Sequence, residues 1–313
     1  MAAVLNSNVA SLWASKNLQG AQTKMAESVE RLSSGLRINR ASDDAAGLGI
    51  ANALTQQING ANQGIRNLND GISMVQTAEG AIAAAQEMAQ RIVTLATQGS
   101  SGTLGADDRN AIRKEMRQLL VAIDSIGTRT KYSGNSLLGN DLASGTGYTL
   151  QVSNTTTDVL TLAAAAFERI GTGTTTVSAG AGTVAGGDAG WVLSGTAGSG
   201  RAAALANQVN AVATGTSETQ ANQLLVLGAA KTYIEDLSKQ RSLLGAYQNQ
   251  IEFTVSNVTE LSSNLSAARS SVQDTDYASE TATLTKGQIL QQAATAMLAQ
   301  ANQMPNVILS LLK

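Results

Sequence analysis

Apolar residues recur at every seventh position along the stretch from Leu224 to Val272: Leu237, Leu244, Ile251, Val258, Leu265 and Val272. Ile234 and Val255 add a second, partly filled register, and the positions between are mostly Glu, Lys, Ser, Asn, Gln and Thr. A heptad held this long predicts a coiled-coil helix that needs equally long partners. At about 1.5 Å per residue it would run roughly 70 Å.

The rest of the chain offers such partners. From Asp44 to Thr97 apolar positions follow alternating steps of four and three: Leu54, Ile58, Ala61, Ile65, Leu68, Ile72, Val75, Ile82, Ala89, Val93 and Ala96. Glu79 and Gln86 fill two positions of that seam. Gly60, Gly64, Gly71 and Gly80 would each cost about 1 kcal/mol against Ala, and their small size predicts close approach of neighbouring rods. A turn at QGSSGTLGA precedes a third helix, opened by Asp107 and Asp108, with Ile112, Met116, Leu119, Ile123 and Ile126 on one face. Gly127 and Gly134 are expected to break it.

The first helix carries Leu5, Val9, Leu12, Leu18, Met25, Val29, Leu32 and Leu36, and Ser33-Ser34-Gly35 is expected to stop it. Ser42-Asp43-Asp44 then starts the next helix by capping free amides. The last helix follows the same steps at Leu290, Ala294, Met297, Ala301, Met304, Ile308 and Leu311. No charged residue lies between Lys286 and Lys313, and Gln288, Gln292, Asn302 and Asn306 form an amide stripe. Such a helix is too polar for a bilayer and too uncharged for an ordinary solvated face. The first helix is also charge-poor, so the two ends are expected to pair and to be buried against other copies. Pro305 is expected to kink or end the last helix.

Between 139 and 215 the composition shifts to Gly, Thr, Ser and Ala. Tyr148, Leu150, Val152, Val159 and Leu162 alternate around a polar turn as in a β-hairpin. Residues 171–200 are expected to form short strands and loops, and 201–215 a short helix. The fold class is therefore mainly α: a long coiled-coil helical bundle with paired chain ends, plus a small β-rich insert of a β-hairpin and a short outer domain. The expected divisions are inner terminal helices at 1–42 and 273–313, bundle segments at 43–165 and 218–272, and a variable, surface-exposed outer region at 166–217.

Composition narrows the function. The 313 residues contain no Cys and no His, which excludes thiol chemistry, the usual zinc sites and His-based acid/base catalysis. A net charge of −2 argues against a sequence-independent nucleic-acid binder. No membrane span is visible, and the first residues lack the basic and apolar regions of a Sec-type signal. Asp43 and Asp44 are better read as caps than as a catalytic pair. Gly47-Leu48-Gly49 and GTAGSG lack the strand-to-helix setting and Lys-Ser/Thr of a phosphate loop. No enzyme and no cofactor is expected.

Several segments carry a family likeness: SVERLSSGLRINRASDDAAGLGIAN (28–52), IRNLNDGISMVQTAEGAI (65–82), DRNAIRKEMRQL (108–119), RTKYSGNSLL (129–138) and DTDYASETATLTKGQILQQAATAMLAQANQMPNVILSLL (274–312). In these the chain resembles the bacterial flagellins, over about 1–165 and 218–313. The resemblance implies a structural subunit that assembles with itself into the flagellar filament, the propeller for swimming. It also implies export by the flagellar type III route, an extracellular location, and dealings with an export chaperone and with junction and cap proteins. The inner assembly seam would comprise Leu5, Val9, Leu12, Leu290, Met297, Met304, Ile308 and Leu311. Flagellins sensed by the toll-like flagellin receptor of animals carry Gln-Arg-X-Arg-Glu-Leu in the second helix. Here Gln90, Arg91, Ile92, Val93, Thr94 and Leu95 lack the second Arg and the Glu, which implies weak or absent activation. Some flagellins bear O-linked sugars on the outer domain, for which Thr174, Thr175, Thr176 and Ser178 are candidates. Asn154-Thr155-Thr156, Asn257-Val258-Thr259 and Asn264-Leu265-Ser266 are formal N-glycosylation sequons. A hook–filament junction protein is one alternative, although those usually read Asp-Asp-Pro where this chain has Asp43-Asp44-Ala45. A cytoplasmic signalling hairpin of the chemoreceptor type is the other.

Overall fold

The computed structural model describes residues 8–138, 147–171, 176–178, 192–194, 202, 204–206, 208–209 and 220–311. Five long helices dominate: α1 (Val9–Ser34), α2 (Ala45–Gly99), α3 (Ala106–Arg129), α4 (Gln220–Gln273) and α5 (Tyr277–Leu311). The strands are β1 (Lys131–Tyr132), β2 (Asn135–Ser136), β3 (Tyr148–Gln151), β4 (Val159–Leu162), β5 (Thr176–Ser178) and β6 (Val192–Ser194), joined as three antiparallel hairpins. Contacts divide the chain into two compact units, Met1–Asn59 with Leu261–Lys313, and Gly60–Glu260. The division falls within α2 and α4 and not near 42/43 and 272/273, where the sequence suggests it.

In the first unit α1 packs on α5, so the chain ends pair. The less exposed positions of α1 include Ser11, Ala14, Leu18, Ala21, Met25, Ser28 and Leu32; those of α5 include Leu284, Gly287, Gln291, Ala294, Leu298 and Ala301. Many are small, which lets the two backbones come close, and Gly287 sits directly over Met25. Arg31 and Glu280 lie 3.8 Å apart near one end of the pair.

At the other end Asn8 has two roles. Its oxygen accepts the Ser11 N–H at 3.1 Å and caps α1, while its amide nitrogen donates to the Ala301 carbonyl at 2.8 Å. That carbonyl lies four residues before Pro305, which has no N–H to offer it. Of the kink or end expected at Pro305, the end does not occur: α5 runs through it to Leu311. The carbonyl released by the proline is taken up by Asn8, which satisfies a group that would otherwise lack its partner.

The connectors of this unit also hold each other. α1 stops at Gly35, whose φ of +73° suits glycine, and whose N–H returns to Arg31 at 2.8 Å. Leu36 forms an antiparallel bridge with Asp274. Arg37 N–H donates to Gln273 O at 2.7 Å and Thr275 N–H to Gly35 O at 3.0 Å, with Ile38 buried beneath. The two aspartates divide the labour. Asp44 accepts the Gly47 N–H at 2.9 Å and caps α2, whereas Asp43 accepts Asn39 and Arg40 N–H and closes the preceding turn. Those backbone donors, with nearby Arg31 and Arg40, hold the Asp43 carboxyl below its ordinary range.

In the second unit Leu237, Leu244 and Ile251 of α4 are fully buried and Val258 nearly so. Each contributes about 1.5–3 kcal/mol by leaving water. Val75, Ile82, Ala89, Ile92 and Ala96 of α2 and Met116, Leu120 and Ile123 of α3 belong to the same core. Arg241 donates to Glu79 at 3.2 Å and to Gln86 at 3.1 Å, so the two polar seam residues of α2 meet a cation from α4. Four residues before the leucine register lies a polar heptad. Tyr233 donates to Ile170 O at 2.9 Å, Gln240 to Ala166 O at 3.2 Å and Glu168 O at 2.8 Å, and Ala163 N–H to Tyr247 at 3.1 Å. This ladder straps residues 163–170 along α4 through their backbone alone.

Several local expectations change. Gly127 does not break α3; it lies buried two residues before the helix end, where an added Cβ would come within 3.1 Å of Leu138 O. Gly134 and Ser133, both at positive φ, form the turn between β1 and β2. The inward residues of β4 are Leu160 and Leu162, paired with Leu150 and Tyr148, while Val159 points outward. The segment expected to be surface-exposed supplies Phe167, Ile170, Ala202, Leu205, Ala206 and Val209 to the core, with 204–206 and 208–209 helical. Gly60, Gly64 and Gly71 face the β3–β4 hairpin rather than another rod: a Cβ on Gly64 would overlap the Val152 carbonyl and one on Gly71 the Leu150 side chain. Gly80 has open space around it.

Gly64→Ala should destabilise the second unit by about 1–3 kcal/mol, because backbone must shift. Gly80→Ala should stabilise it by about 0.5–1 kcal/mol through helix propensity alone, both read by denaturant unfolding. In the first unit, Asn8→Ser keeps the cap but loses the reach to Ala301. It should weaken α1–α5 pairing by about 1 kcal/mol, and a double-mutant cycle should show that loss shrinking in a Pro305→Ala background.

Candidate assembly surface

Pairing α1 with α5 uses only one face of each helix. Outside the shared face, large apolar side chains stand in solvent: Val9, Leu12 (72% exposed), Trp13 (61%) and Val29 on α1, and Ile289, Leu290 (48%) and Met297 (64%) on α5, with Leu290 and Met297 along the edge of the α1-facing stripe. Exposed apolar residues are common singly, but here they recur on the charge-poor first half of α1, where Lys16 is the one charge before Lys24, and on α5, which has few charges. On α5 the nearest charge to Leu290 is Lys286, and none follows before Lys313. The Lys16 ammonium lies 5.8 Å from the Trp13 ring, so the one cation early in α1 leans on its aromatic neighbour.

The residues named from sequence for the inner seam thus fall on the outward side where they are described. Val9, Leu12, Leu290 and Met297 are exposed, and α1 and α5 meet through other positions. Leu5 and the side chains of Met304, Ile308 and Leu311 lie outside the described residues. For the bundle, Ile58, Leu68, Val75, Ile82, Ile112, Met116, Ile123, Leu237, Leu244, Ile251 and Val258 are buried. Leu54, Ile65, Ile72, Leu119, Leu265 and Val272 are half-buried. Sequence reasoning missed the outward pair Trp13 and Ile289, which stand beside Leu12 and Leu290 and widen each stripe.

In the second unit, the segment from Gln90 to Leu95 splits by face. Ile92 and Leu95 are buried, Val93 is half-buried, and Gln90, Arg91 and Thr94 are exposed. Arg91 reaches across to α3, donating from Nε at 3.0 Å and Nη2 at 2.8 Å to one oxygen of Glu115. Thr176 and Ser178 fall on β5, with side chains outside the described residues, as are Thr174 and Thr175 altogether. Among the described residues no group of three or more acidic, His or Cys side chains is placed to hold a metal, and no helix is long and apolar enough to cross a membrane.

Comparison with known proteins places these features in a family. Residues 5–143 match the family model described as the bacterial flagellin N-terminal helical region, and residues 227–312 match the C-terminal helical region. Flagellin from Bacillus subtilis (strain 168) is 37% identical over 99% of both chains. The flagellar filament 33 kDa core protein of Treponema phagedenis is 33% identical over 99% of this chain and 100% of its own. A solved structure described as a flagellar hook-associated protein from Vibrio parahaemolyticus covers 74% of this chain and all of its own, with a TM-score of 0.53 at 14% identity, a likeness of fold. On the matched helical regions at both ends and these full-length relatives, the chain belongs to the bacterial flagellin family.

Proposed function

We infer that the outward faces of α1 and α5 are the surface through which this subunit polymerises. The chain is a structural subunit of the flagellar filament, the propeller of swimming motility. The observation that supports the surface is the row of Leu12, Trp13, Ile289, Leu290 and Met297 in solvent on helices that already have a partner on their other side. Each buried Leu would add about 1.5–3 kcal/mol per subunit. Contacts between unlike faces of successive copies leave an open end, so growth gives a helical polymer and not a closed ring.

The family reading carries finer proposals. The filament lies outside the cell, and the subunit reaches it by the flagellar type III route, handled by an export chaperone and meeting junction and cap proteins. No catalytic role is assigned. The junction-protein reading is less favoured, since full-length relatives above 30% identity are named as flagellins or filament core proteins. The signalling hairpin would not explain the match to flagellin regions at both ends. Sugars on Thr174, Thr175, Thr176 or Ser178 remain a proposal for the outer segment.

Leu12→Asp and Leu290→Asp should leave the monomer folded, because both sites are exposed, and should raise the critical concentration for filaments about 10- to 100-fold. Salt-induced polymerisation followed by negative-stain electron microscopy reads this out; unchanged critical concentrations would remove the surface from the account. Receptor signalling is proposed to be weak, because Val93 and Thr94 stand where an Arg and a Glu would supply charge-assisted contacts. A cell reporter responding at ordinary flagellin doses would overturn that.

A further inference from the structure

Met297 stands on the outward face of α5 at 64% exposure, seven residues after Leu290 on the same stripe. Its neighbours on its own helix are uncharged and mostly apolar. Of its four helical neighbours at three and four residues, Ala293, Ala294 and Ala301 offer only methyl groups, and Gln300 is the fourth. The other described methionines are better covered: Met74 and Met116 are buried, and Met25 and Met88 half-buried. The chain has no Cys, so no thiol competes for a peroxide. The described methionine most open to an oxidant is therefore one on the proposed assembly surface.

We propose that Met297 is an oxidation site that controls polymerisation: a peroxide converts its thioether to the sulfoxide in the free subunit, and the modified subunit no longer joins the filament. The reaction moves one oxygen atom from the peroxide to sulfur, which gives up two electrons; hydrogen peroxide leaves as water. The product carries a strong acceptor oxygen on what was an adaptable apolar side chain. Burying that oxygen is unfavourable unless a donor meets it, and three of the four helical neighbours are alanines that have none to offer. Packing against a neighbouring copy should in turn shield the sulfur, so the switch acts before assembly and not after. Reduction by methionine sulfoxide reductases restores the thioether, one enzyme for each sulfoxide epimer.

This inference rests on the assembly reading, and its test separates the two. Full-length subunits and preformed filaments are treated with hydrogen peroxide, and Met297 oxidation is measured by peptide mass spectrometry. The critical concentration is then measured for treated wild type, treated and untreated Met297→Leu, and Met297→Gln as a polar stand-in. The expected result is fast oxidation in subunits, slow oxidation in filaments, and a critical concentration raised roughly tenfold or more in treated wild type and in Met297→Gln. Met297→Leu should assemble equally well before and after peroxide, and reductases of both types should restore treated wild type. Wild type fully oxidised at Met297 that assembles normally would overturn the proposal, as would equal loss of assembly in treated Met297→Leu. Equal oxidation in subunits and filaments would instead remove Met297 from the assembly contact, whatever the effect of Leu12→Asp and Leu290→Asp.

Discussion

A helix that is apolar on two sides needs two partners, and the folded subunit supplies α1 and α5 with only one. Each gives the other a face of small residues interleaved with Leu18, Met25 and Leu32 or Leu284 and Leu298, and leaves several further large apolar side chains in water. Ala21, Ser28, Gly287 and Ala301 fill the shared face, while Leu12, Trp13, Leu290 and Met297 do not enter it. The chemistry of the outer faces is equally specific. With no charge after Lys286 until the last residue, α5 has little to hold it in solvent. Burial against further copies is the arrangement that removes this apolar surface from water.

Asn8 and Pro305 show how the pair is fixed at one point. A proline inside a helix frees a carbonyl, and here the freed carbonyl of Ala301 becomes the acceptor for the residue that caps the opposite helix. A locally unfavourable residue thereby becomes a docking point between the two chain ends. The bundle uses polar groups in a comparable way. Arg241 between Glu79 and Gln86 gives the α2–α4 contact a defined axial setting, as a polar seam residue does in coiled coils. Tyr233, Gln240 and Tyr247 hold a strap by its backbone, so the strap's own side chains are left to pack.

The heptad at Leu237, Leu244, Ile251 and Val258 was legible because period and burial coincide along one uninterrupted helix. Capping at Asp44 and termination at Gly35 were legible because they depend on adjacent residues. What escaped depended on which surface arrives from elsewhere. Gly127 looks like a helix breaker until the Leu138 backbone is placed against it. Gly64 and Gly71 look like rod-to-rod spacers, yet the hairpin is what approaches them. The Tyr-Gln-Tyr heptad reads as a solvated face, although its seven-residue spacing beside the leucines was a usable signal. On α5, four-three spacing selected a single stripe, of which Ala294 and Ala301 meet α1 while Leu290 and Met297 stand at its open edge.

The most direct test of the central claim is the fluorescence of Trp13. In a Trp191→Phe chain it is the sole tryptophan, and it stands 61% exposed in the unassembled subunit. Its emission should move to shorter wavelength as filaments form and become shielded from a soluble quencher. Well-formed filaments in which Trp13 emission and quenching match those of the free subunit would contradict the claim that the outward face of α1 is buried between copies.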